Sequence, residues 1–389
     1  MLKQIVKRAA ALCIAGALVL GSAVFPKVKA QDLQTEVEVS AQSAVLMTAD
    51  TGTVLYEKDA FSQRPMASTT KIMTALLTLE EGERLGDPVI QITEEMVAVE
   101  GSSMGLQAGD EISLSNLAAG MLLASGNDAA NAVAIYLAGS LEGFVELMNQ
   151  RAVEIGMEHT HFVTPSGLDG ESADGRGHYS TAYDMALLAR EALQNEQFRE
   201  LCSSASYAVD FVQPVKRVTY TNHNKLLSQY EGCVGVKTGY TKQAGRCLVS
   251  AAERDGALLI AVTLDAPDDW KDHTVMLDYG FSQVEPYSLD GTAVSGTVPV
   301  VGSEQDSVSF SGSQGNTVSL PLGESAHVTS QVYLPAFVYA PVKAGDKVGE
   351  IRWYWDGKLL GTVSLIAKQS AQIQTKEPGV WAKLFGNGS

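Results

Sequence analysis

The stretch Pro65-Met-Ala-Ser-Thr-Thr-Lys-Ile-Met-Thr-Ala-Leu76 places a serine three residues before a lysine at the start of a predicted helix. Residues three apart on a helix lie on one face, so we expect the Lys71 amine beside the Ser68 hydroxyl. The positive end of the helix dipole would also favour negative charge on the Ser68 oxygen. A serine hydroxyl is a poor nucleophile until a base takes its proton, and this pair supplies both groups. Alone, however, the pattern fits a helix-capping serine and a solvated lysine better.

Two further motifs follow in order, Ser125-Gly-Asn127 and Lys237-Thr-Gly239. A serine three residues before a lysine is expected roughly once by chance in a chain of this length, so the prediction rests on the combination. Lys71 can act as a base only where part of it is neutral. Burial and the nearby Lys237 cation would both lower the pKa of Lys71.

These motifs predict separate catalytic roles for residues that meet in one cleft. Lys71 would take the proton of Ser68, and Ser125 would relay a proton towards the leaving amine. Asn127 would orient either the Lys71 amine or the amide of the substrate. All three motifs must therefore converge, although they lie far apart in the chain.

The third motif suits a peptide that ends in a carboxylate. Lys237 supplies positive charge, Thr238 a hydroxyl hydrogen bond, and Gly239 room for the substrate backbone to approach. An oxyanion hole is expected from the backbone amides of Ser68 and Tyr240, which are donors fixed where negative charge develops.

Residues 1–30 are predicted to be a signal peptide. A basic start precedes an apolar run over residues 9–24, and Val28-Lys29-Ala30 offers a cleavage site with small residues. An uncleaved N-terminal anchor is the alternative. These thirty residues hold five of the 28 Lys and Arg and no acid, so the remaining chain carries a formal charge of −22. That charge argues against a nucleic acid partner, and the leader predicts an exported protein.

The remainder of the 389 residues is predicted to form two domains. Residues 31–285 have strand patterns at both ends and helical patterns between them, which indicates an α+β domain whose sheet joins the two ends. Residues 286–370 alternate polar and apolar side chains, as in a small all-β domain. The tail, residues 371–389, includes Trp381, Leu384 and Phe385, which could share one helical face at a membrane surface or belong to a frayed terminus.

Element boundaries follow from turn and capping residues. We expect a turn at Asp50–Gly52, a helix stop at Gly82, and a break between two helices at residues 125–127. Further predictions are a helix over 141–155 ended by Gly156, a capping box from Thr181 and Asp184, and hairpins turning at residues 255–256 and 356–357.

No metal or cofactor is predicted. His159 and His161 are two residues apart, without a third ligand at a recognisable spacing. Three cysteines follow the leader, Cys202, Cys233 and Cys247, and an odd number cannot all pair within one chain. Buried thiols that act as small apolar groups are favoured over a disulfide.

Four segments resemble the low-molecular-mass penicillin-binding proteins of the D-alanyl-D-alanine carboxypeptidase family, namely residues 65–76, 123–131, 178–190 and 235–249. The resemblance covers residues 38–280 well and the β-rich part more loosely. It implies a penicillin-recognising serine-peptidase fold, action on peptidoglycan stem peptides ending in D-Ala-D-Ala, and covalent inhibition by β-lactams. The family's catalytic roles carry over to Ser68, Lys71, Ser125, Asn127 and Lys237.

One departure concerns the terminal carboxylate of the substrate. Some relatives have an arginine where this chain has His223, and that arginine contacts the carboxylate. Here His223 or Lys225 would have to substitute, unless Thr238 suffices.

Three other functions use similar residues. A β-lactamase needs a carboxylate that activates water, usually in a Glu-x-x-Leu-Asn loop between the second and third motifs, and residues 128–236 lack that segment. A non-catalytic peptidoglycan-binding scaffold would not need an activated serine. An endopeptidase that cuts cross-links cannot be separated from a carboxypeptidase by sequence.

Overall fold

The computed structural model describes residues 37–374. Its strands are β1 (Ser43–Thr48), β2 (Val54–Lys58), β3 (Val89–Gln91), β4 (Glu111–Ser113), β5 (Ser206–Gln213), β6 (Lys216–Thr221), β7 (Cys233–Thr241), β8 (Gly245–Arg254), β9 (Ala257–Leu264), β10 (Val284–Asp290), β11 (Ser295–Val301), β12 (Ser307–Gly312), β13 (Gln314–Pro321), β14 (Val328–Tyr333), β15 (Val338–Tyr339), β16 (Lys347–Trp355) and β17 (Lys358–Ala367). The α-helices are α1 (Lys71–Leu85), α2 (Glu94–Val97), α3 (Leu114–Leu123), α4 (Asn127–Ala138), α5 (Leu141–Ile155), α6 (Ala182–Ala192), α7 (Glu196–Ser203), α8 (Leu226–Gln229) and α9 (Asp269–Ser282). The predicted signal peptide and most of the predicted membrane-surface tail lie outside the described residues.

The central sheet joins the two ends of the α+β region, as predicted. Its five strands run antiparallel in the order β2-β1-β9-β8-β7. Every residue of β1 is buried because helices cover both faces of the sheet. Val45 and Met47 pack into the cluster that contains α1 and α6, whereas Ala44 and Leu46 pack against α9 on the other side.

The helix that follows the nucleophile turn begins and ends about three residues later than predicted. Ser68 lies in a 3₁₀ turn, Ala67–Thr70, and the α-helix begins only at Lys71. Gly82 does not end this helix, so that prediction was wrong. Gly82 is buried inside the helix, and a Cβ atom there would make only an ordinary van der Waals contact, 3.7 Å from Leu114 Cβ. The helix ends at Leu85, because Gly86 adopts the left-handed conformation that closes a helix.

The other helix boundaries largely follow their predictions. The helical break between α3 and α4 is confirmed, and α5 runs from Leu141 to Ile155 with Gly156 in the left-handed conformation. Thr181 caps α6 by accepting a hydrogen bond from the Asp184 amide. The predicted capping box is incomplete, since the Asp184 carboxylate accepts hydrogen bonds from the His159 amide and the Thr160 hydroxyl instead.

A second sheet and helix α9 were not predicted. The second sheet has the order β3-β4-β5-β6, and its first two strands have only three residues each, too few for a pattern to show. Hairpins β8–β9 and β16–β17 turn at Asp255-Gly256 and Asp356-Gly357, as predicted, with all four residues at positive φ.

The β-rich region forms a core of its own. Strands β10 and β13 pair with each other, and a six-stranded sheet has the order β14-β16-β17-β12-β11-β15. Ile351, Leu365 and Val298 are among the fully buried residues of this core. In the described part of the chain, no helix is long and apolar enough to cross a membrane.

The turn between β1 and β2 contacts the β-rich region directly. The Asp50 carboxylate accepts a hydrogen bond from the Ser319 amide, and the Thr51 carbonyl accepts one from Lys358 Nζ at 2.7 Å. Arg190 of α6 fixes the same turn by donating to the carbonyls of Ala49 and Asp50. These polar contacts join the two regions at one end of the central sheet.

The three cysteines that follow the predicted leader are free. Cys202 and Cys247 are buried and Cys233 is partly buried. Burial raises the pKa of Cys202 and of Cys247 to about 12, so both thiols stay protonated. They pack as small apolar groups.

Candidate active site

The three predicted motifs converge on one cleft of about 390 Å³. The nucleophile turn, the loop between α3 and α4, and strand β7 supply its walls, and among the lining residues are Ser68, Ser125, His223, Thr238, Gly239 and Tyr240. A larger groove of about 1110 Å³ runs along α5 and holds none of the predicted site residues. The amines of Lys71 and Lys237 lie beneath the cleft, because both side chains are buried.

The Lys71 amine lies at hydrogen-bond distance from three oxygens. Its Nζ is 3.0 Å from Ser68 Oγ, 2.7 Å from Asn127 Oδ1 and 2.6 Å from the Ser166 carbonyl oxygen. Complete burial, reinforced by the Lys237 cation and partly offset by Asp128, holds the pKa of Lys71 well below its usual range. The environment therefore favours the neutral amine that a base requires.

The identity of these oxygens decides where the lone pair of a neutral amine points. Asn127 Oδ1 and the Ser166 carbonyl can only accept hydrogen bonds, so they take the two protons of the amine. The lone pair is then left facing Ser68, whose hydroxyl can donate. The arrangement is that of a base aligned with its nucleophile.

Ser125 and Lys237 form a second pair across the cleft. Lys237 Nζ lies 3.1 Å from Ser125 Oγ and 3.0 Å from the Thr238 carbonyl oxygen. Desolvation by burial lowers the pKa of Lys237 to about 7. Ser125 has φ 59°, a left-handed conformation that is strained for a residue with a side chain. Ser125 lies in the break between α3 and α4, and its side chain lines the cleft.

The side-chain amide of Asn127 is used within the protein. Its oxygen accepts from Lys71, and its Nδ2 donates to the Glu100 carbonyl at 2.7 Å. Of the two roles predicted for this residue, orienting the Lys71 amine matches these contacts. Its position as the first residue of α4 makes the amide a rigid part of the site.

Gly239 is required by packing within the protein. A Cβ atom at this position would lie 3.0 Å from the amide nitrogens of Ser68 and Thr69 and 3.1 Å from the Met66 carbonyl. Only glycine lets β7 approach the nucleophile turn this closely. This contact brings Tyr240, the next residue of β7, near the Ser68 amide.

His223, Lys225 and Thr238, the three candidates for contact with the substrate carboxylate, all line the cleft. Partial burial and the Lys237 cation lower the pKa of His223, which favours its neutral form. The sequence interpretation missed Arg246, Asp269 and Trp270, which line the same cleft.

The Arg246 guanidinium is held by a buried carboxylate. Its Nε and one terminal nitrogen donate to Asp269 at 2.7–3.0 Å, and the group lies over the Trp270 ring at 5.7 Å. The other terminal nitrogen is left for a ligand. The register of β7 and β8 pairs Arg246 with Tyr240, so extending the predicted strands into a hairpin would have found it.

Ser166 was also missed, because its contribution is a backbone carbonyl that any residue type could supply. Asp128 is a further residue without a predicted role. Its carboxylate accepts hydrogen bonds from the amides of Met104, Gly105 and Leu106 and from the Ser103 hydroxyl. It thereby holds the loop beside Asn127.

Comparison with known families gives two matches. Residues 28–268 match the family described as D-alanyl-D-alanine carboxypeptidase, and residues 281–372 match the C-terminal domain of penicillin-binding protein 5. Curated relatives include D-alanyl-D-alanine carboxypeptidase DacF of Bacillus subtilis, 33% identical over 86% of this chain and 87% of the relative. DacC of Escherichia coli is 32% identical over 86% of this chain and 85% of its own length.

Solved structures show the same likeness. The D-alanyl-D-alanine carboxypeptidase DacD of Francisella tularensis has a TM-score of 0.59 and 29% identity, covering 87% of this chain and 95% of its own. Penicillin-binding protein 5 of Haemophilus influenzae has a TM-score of 0.61 and 26% identity over 86% of this chain and 98% of its own. The Streptomyces K15 DD-transpeptidase is 33% identical over 63% of this chain and 98% of its own, with a TM-score of 0.59.

Proposed function

This chain belongs to the D-alanyl-D-alanine carboxypeptidase family, and we propose that its reaction proceeds through an acyl-enzyme on Ser68. It is a serine-type D-Ala-D-Ala carboxypeptidase with an extracytoplasmic role on peptidoglycan. The family matches and relatives give no support to a β-lactamase or a non-catalytic scaffold. The observation that carries the assignment of roles is the 3.0 Å contact between Lys71 Nζ and Ser68 Oγ.

Acylation begins with proton transfer from Ser68 to Lys71. The Ser68 oxygen attacks the carbonyl carbon of the penultimate D-alanine, and the new C–O bond gives a tetrahedral intermediate. Its negative oxygen lies between the backbone amides of Ser68 and Tyr240, the proposed oxyanion hole. Asn127 and the Ser166 carbonyl keep the amine of Lys71 in line throughout.

Collapse of the intermediate releases the terminal D-alanine. The C–N bond breaks as the leaving nitrogen takes a proton from the Ser125 hydroxyl, and Lys237 restores that proton from its own amine. A pKa of about 7 leaves Lys237 able to give and to regain a proton near neutral pH. Water then adds to the acyl carbon and the C–O bond to Ser68 breaks. The proton of the water returns to the Ser68 oxygen, and the proton that Lys71 took from Ser68 returns to Lys237, so both amines regain their starting states.

The terminal carboxylate of the substrate needs a cationic subsite. Thr238 offers a hydroxyl, and Arg246 offers the guanidinium edge that Asp269 leaves free. A planar guanidinium suits a carboxylate, so Arg246 takes the part that some relatives give to an arginine at the position of His223. His223 adds a neutral hydrogen-bonding group at the same end of the cleft.

β-Lactam antibiotics are expected to acylate the same serine. Their strained amide is attacked by Ser68 as the peptide is, but the leaving nitrogen stays attached to the acyl group. Slow deacylation would then trap the enzyme covalently.

The proposed location is the outer face of the cytoplasmic membrane or the cell wall. Residues 1–30 act as an export signal, residues 31–285 form the peptidase domain and residues 286–370 the β-rich domain. The tail from residue 371 contacts the membrane surface. Support comes from two exposed apolar side chains, Tyr339 in the β-rich domain and Ile373 at the start of the tail.

The decisive experiment measures D-alanine release from a diacyl-Lys-D-Ala-D-Ala peptide. Wild type should release D-alanine, and Ser68→Ala should release none above the uncatalysed rate. A cross-linked muropeptide dimer as second substrate separates endopeptidase from carboxypeptidase activity. Normal D-alanine release by Ser68→Ala would overturn the proposed nucleophile.

A further inference from the structure

The nucleophile turn contains a strained residue whose carbonyl is held by a side chain. Ala67, immediately before Ser68, has φ 49°, which is unfavourable for a residue with a Cβ atom. Its carbonyl oxygen accepts a hydrogen bond from Thr70 Oγ1 at 2.8 Å. A strained conformation persists only where its surroundings hold it, so the fixation of Thr70 matters for Ser68.

Thr70 is in turn fixed by His178, which lies 108 residues away in the chain. His178 Nε2 is 2.7 Å from Thr70 Oγ1, and His178 Nδ1 accepts the Val163 amide at 2.9 Å. Because Nδ1 accepts, the imidazole proton is on Nε2 and is donated to Thr70. Thr70 accepts it and donates its own proton to Ala67. Every donor in the chain has an acceptor.

The loop that contains Val163 also supplies an oxygen that accepts a hydrogen bond from the Lys71 amine. The Val163 amide donates a hydrogen bond to His178. Three residues later in the same loop, the Ser166 carbonyl oxygen lies 2.6 Å from Lys71 Nζ. The intervening Pro165 carbonyl accepts the Thr74 hydroxyl at 2.6 Å. Gly167 packs directly on the turn, since a Cβ atom there would lie 2.0 Å from the Ala67 carbonyl oxygen.

We propose that His178 is a positioning residue that joins the support of the nucleophile to the support of its base. The Nε2 edge of the imidazole fixes the Ala67–Thr70 turn. The Nδ1 edge fixes the loop of residues 163–166, whose Ser166 carbonyl contacts the Lys71 amine. The distance between the Ser68 hydroxyl and the Lys71 amine then depends on an imidazole that touches neither of them. This inference rests on the proposed roles of Ser68 and Lys71.

The imidazole is suited to this role at all working pH values. Burial, with smaller contributions from His161 and Lys71, lowers the pKa of His178 to about 3. The ring therefore stays neutral with one donor and one acceptor. A protonated ring could not accept the Val163 amide, and the chain of hydrogen bonds would break.

Two substitutions separate the two edges of the ring. His178→Asn retains an acceptor near the place of Nδ1 but cannot reach Thr70, whereas His178→Gln retains a donor near the place of Nε2. We expect each to lower the rate of acylation by a fluorescent penicillin by about tenfold, and His178→Ala by about a hundredfold. The control is His273→Asn, because His273 is equally buried and bonded to Ser250 and Thr263.

A pH profile distinguishes positioning from general destabilisation. The charged groups that act on Lys71 are Lys237, which lowers its pKa, and Asp128, which raises it, whereas the His178 ring is neutral. In His178→Ala, water that enters the loosened loop should weaken the desolvation of the amine and raise the pKa of Lys71. The acid limb of the acylation rate should therefore move to higher pH, while His273→Asn keeps the wild-type limb even if it is equally destabilised.

If His178→Ala does not fold, Thr70→Val and Thr70→Ser test the same link from its other end. Thr70→Val should lose acylation about tenfold or more, and Thr70→Ser should retain it. Wild-type acylation and an unchanged acid limb in the His178 or Thr70→Val variants would overturn the inference. Lys71→Ala distinguishes the two proposals, because wild-type acylation by that variant would overturn the proposed function itself.

Discussion

The cleft of the α+β region and the core of the β-rich region bury very different side chains. Beneath the cleft, Lys71 and Lys237 are buried, and Ala67 and Ser125 have left-handed backbone conformations. In the β-rich region, among the described residues from 284 to 374, Ser319 is the one buried polar side chain. Its positive-φ residue other than glycine is Asp356, in a hairpin turn where that conformation is ordinary.

The difference shows where this chain accepts a cost in stability. Burying an amine removes it from water, and left-handed residues other than glycine are strained by roughly 1 kcal/mol or more. In the α+β region the two buried amines and the left-handed Ala67 and Ser125 lie at one reaction centre, and the other left-handed residues that are not glycine are all aspartates, which tolerate this conformation better. Among its described residues the β-rich region buries no amine and is stabilised by apolar burial, although Ser319 Oγ and Trp353 Nε1 are buried there without a hydrogen-bond partner. Substitutions in the two regions should therefore have opposite effects on activity and stability.

Replacing the buried base should have the largest effect. Lys71→Met keeps a long apolar side chain and removes the amine, so acylation by a labelled penicillin should fall by about 10³-fold. The free energy of unfolding should not fall, because relief from desolvating the amine offsets the two acceptors left without a donor. Stopped-flow labelling and urea unfolding measure the two quantities.

Lys343→Met is the matched control, since Lys343 is exposed and should change neither quantity. A drop of several kcal/mol in the stability of Lys71→Met would mean that the lysine holds the cleft together. The contrast between the two regions would then disappear.

The β-rich core should show the reverse behaviour. Ile351→Ala removes a fully buried side chain of β16 and should lower the free energy of unfolding by about 2–5 kcal/mol. The rate of labelling per folded molecule should stay at the wild-type value, because no residue of this core lines the cleft. A reduced rate in the folded variant would show that the two regions are coupled. Val332→Ala, at an exposed position, serves as the control.

Much of this contrast could be predicted from the sequence. Alternating polar and apolar side chains and an Asp-Gly turn predicted an all-β fold for the β-rich region. The three motifs predicted which residues meet in the cleft. The predictions that were wrong or missing each have a local physical reason. Glycine is a common helix stop, but Gly82 is buried within α1, and the glycine that ends the helix in the left-handed conformation is Gly86. Two of the four strands of the second sheet, β3 and β4, have only three residues each and are too short to show a period.

The missed site residues share one property, which is that their contribution depends on tertiary contacts. Ser166 acts through its carbonyl, and Arg246 lines the cleft because strand pairing places it opposite Tyr240. His178 lies in a segment with a family resemblance, but its bond to Thr70 spans 108 residues. A contact between residues so far apart in the chain cannot be predicted from local sequence spacing.

The pH dependence of stability should reveal the buried amines. In the unfolded chain Lys237 keeps its ordinary pKa near 10.5, and folding lowers that pKa to about 7. Above pH 7 the unfolded chain therefore binds more protons, and stability rises with pH by up to about 1.4 kcal/mol per unit. Lys71 adds an effect of the same sign, because its pKa is also lowered.

The useful window is about pH 7 to 8.5, since folding raises the pKa of Cys202 and Cys247 and these thiols oppose the trend at higher pH. Lys237→Met should have a flatter profile than wild type in urea unfolding across this window. Parallel profiles for the two proteins would show that Lys237 keeps an ordinary pKa in the folded state.

The smallest effect is expected at the contact between the two regions. Lys358 is exposed and donates to the Thr51 carbonyl at 2.7 Å, so Lys358→Met should cost only about 0.5–1 kcal/mol. Lys347→Met is the matched control, because Lys347 is equally exposed but pairs with Glu350 inside the β-rich region. Two calorimetric transitions in Lys358→Met, against one in the control, would show that this bond makes the regions unfold together. A loss above about 2 kcal/mol without such separation would instead show that the Thr51 carbonyl is costly to leave without its donor.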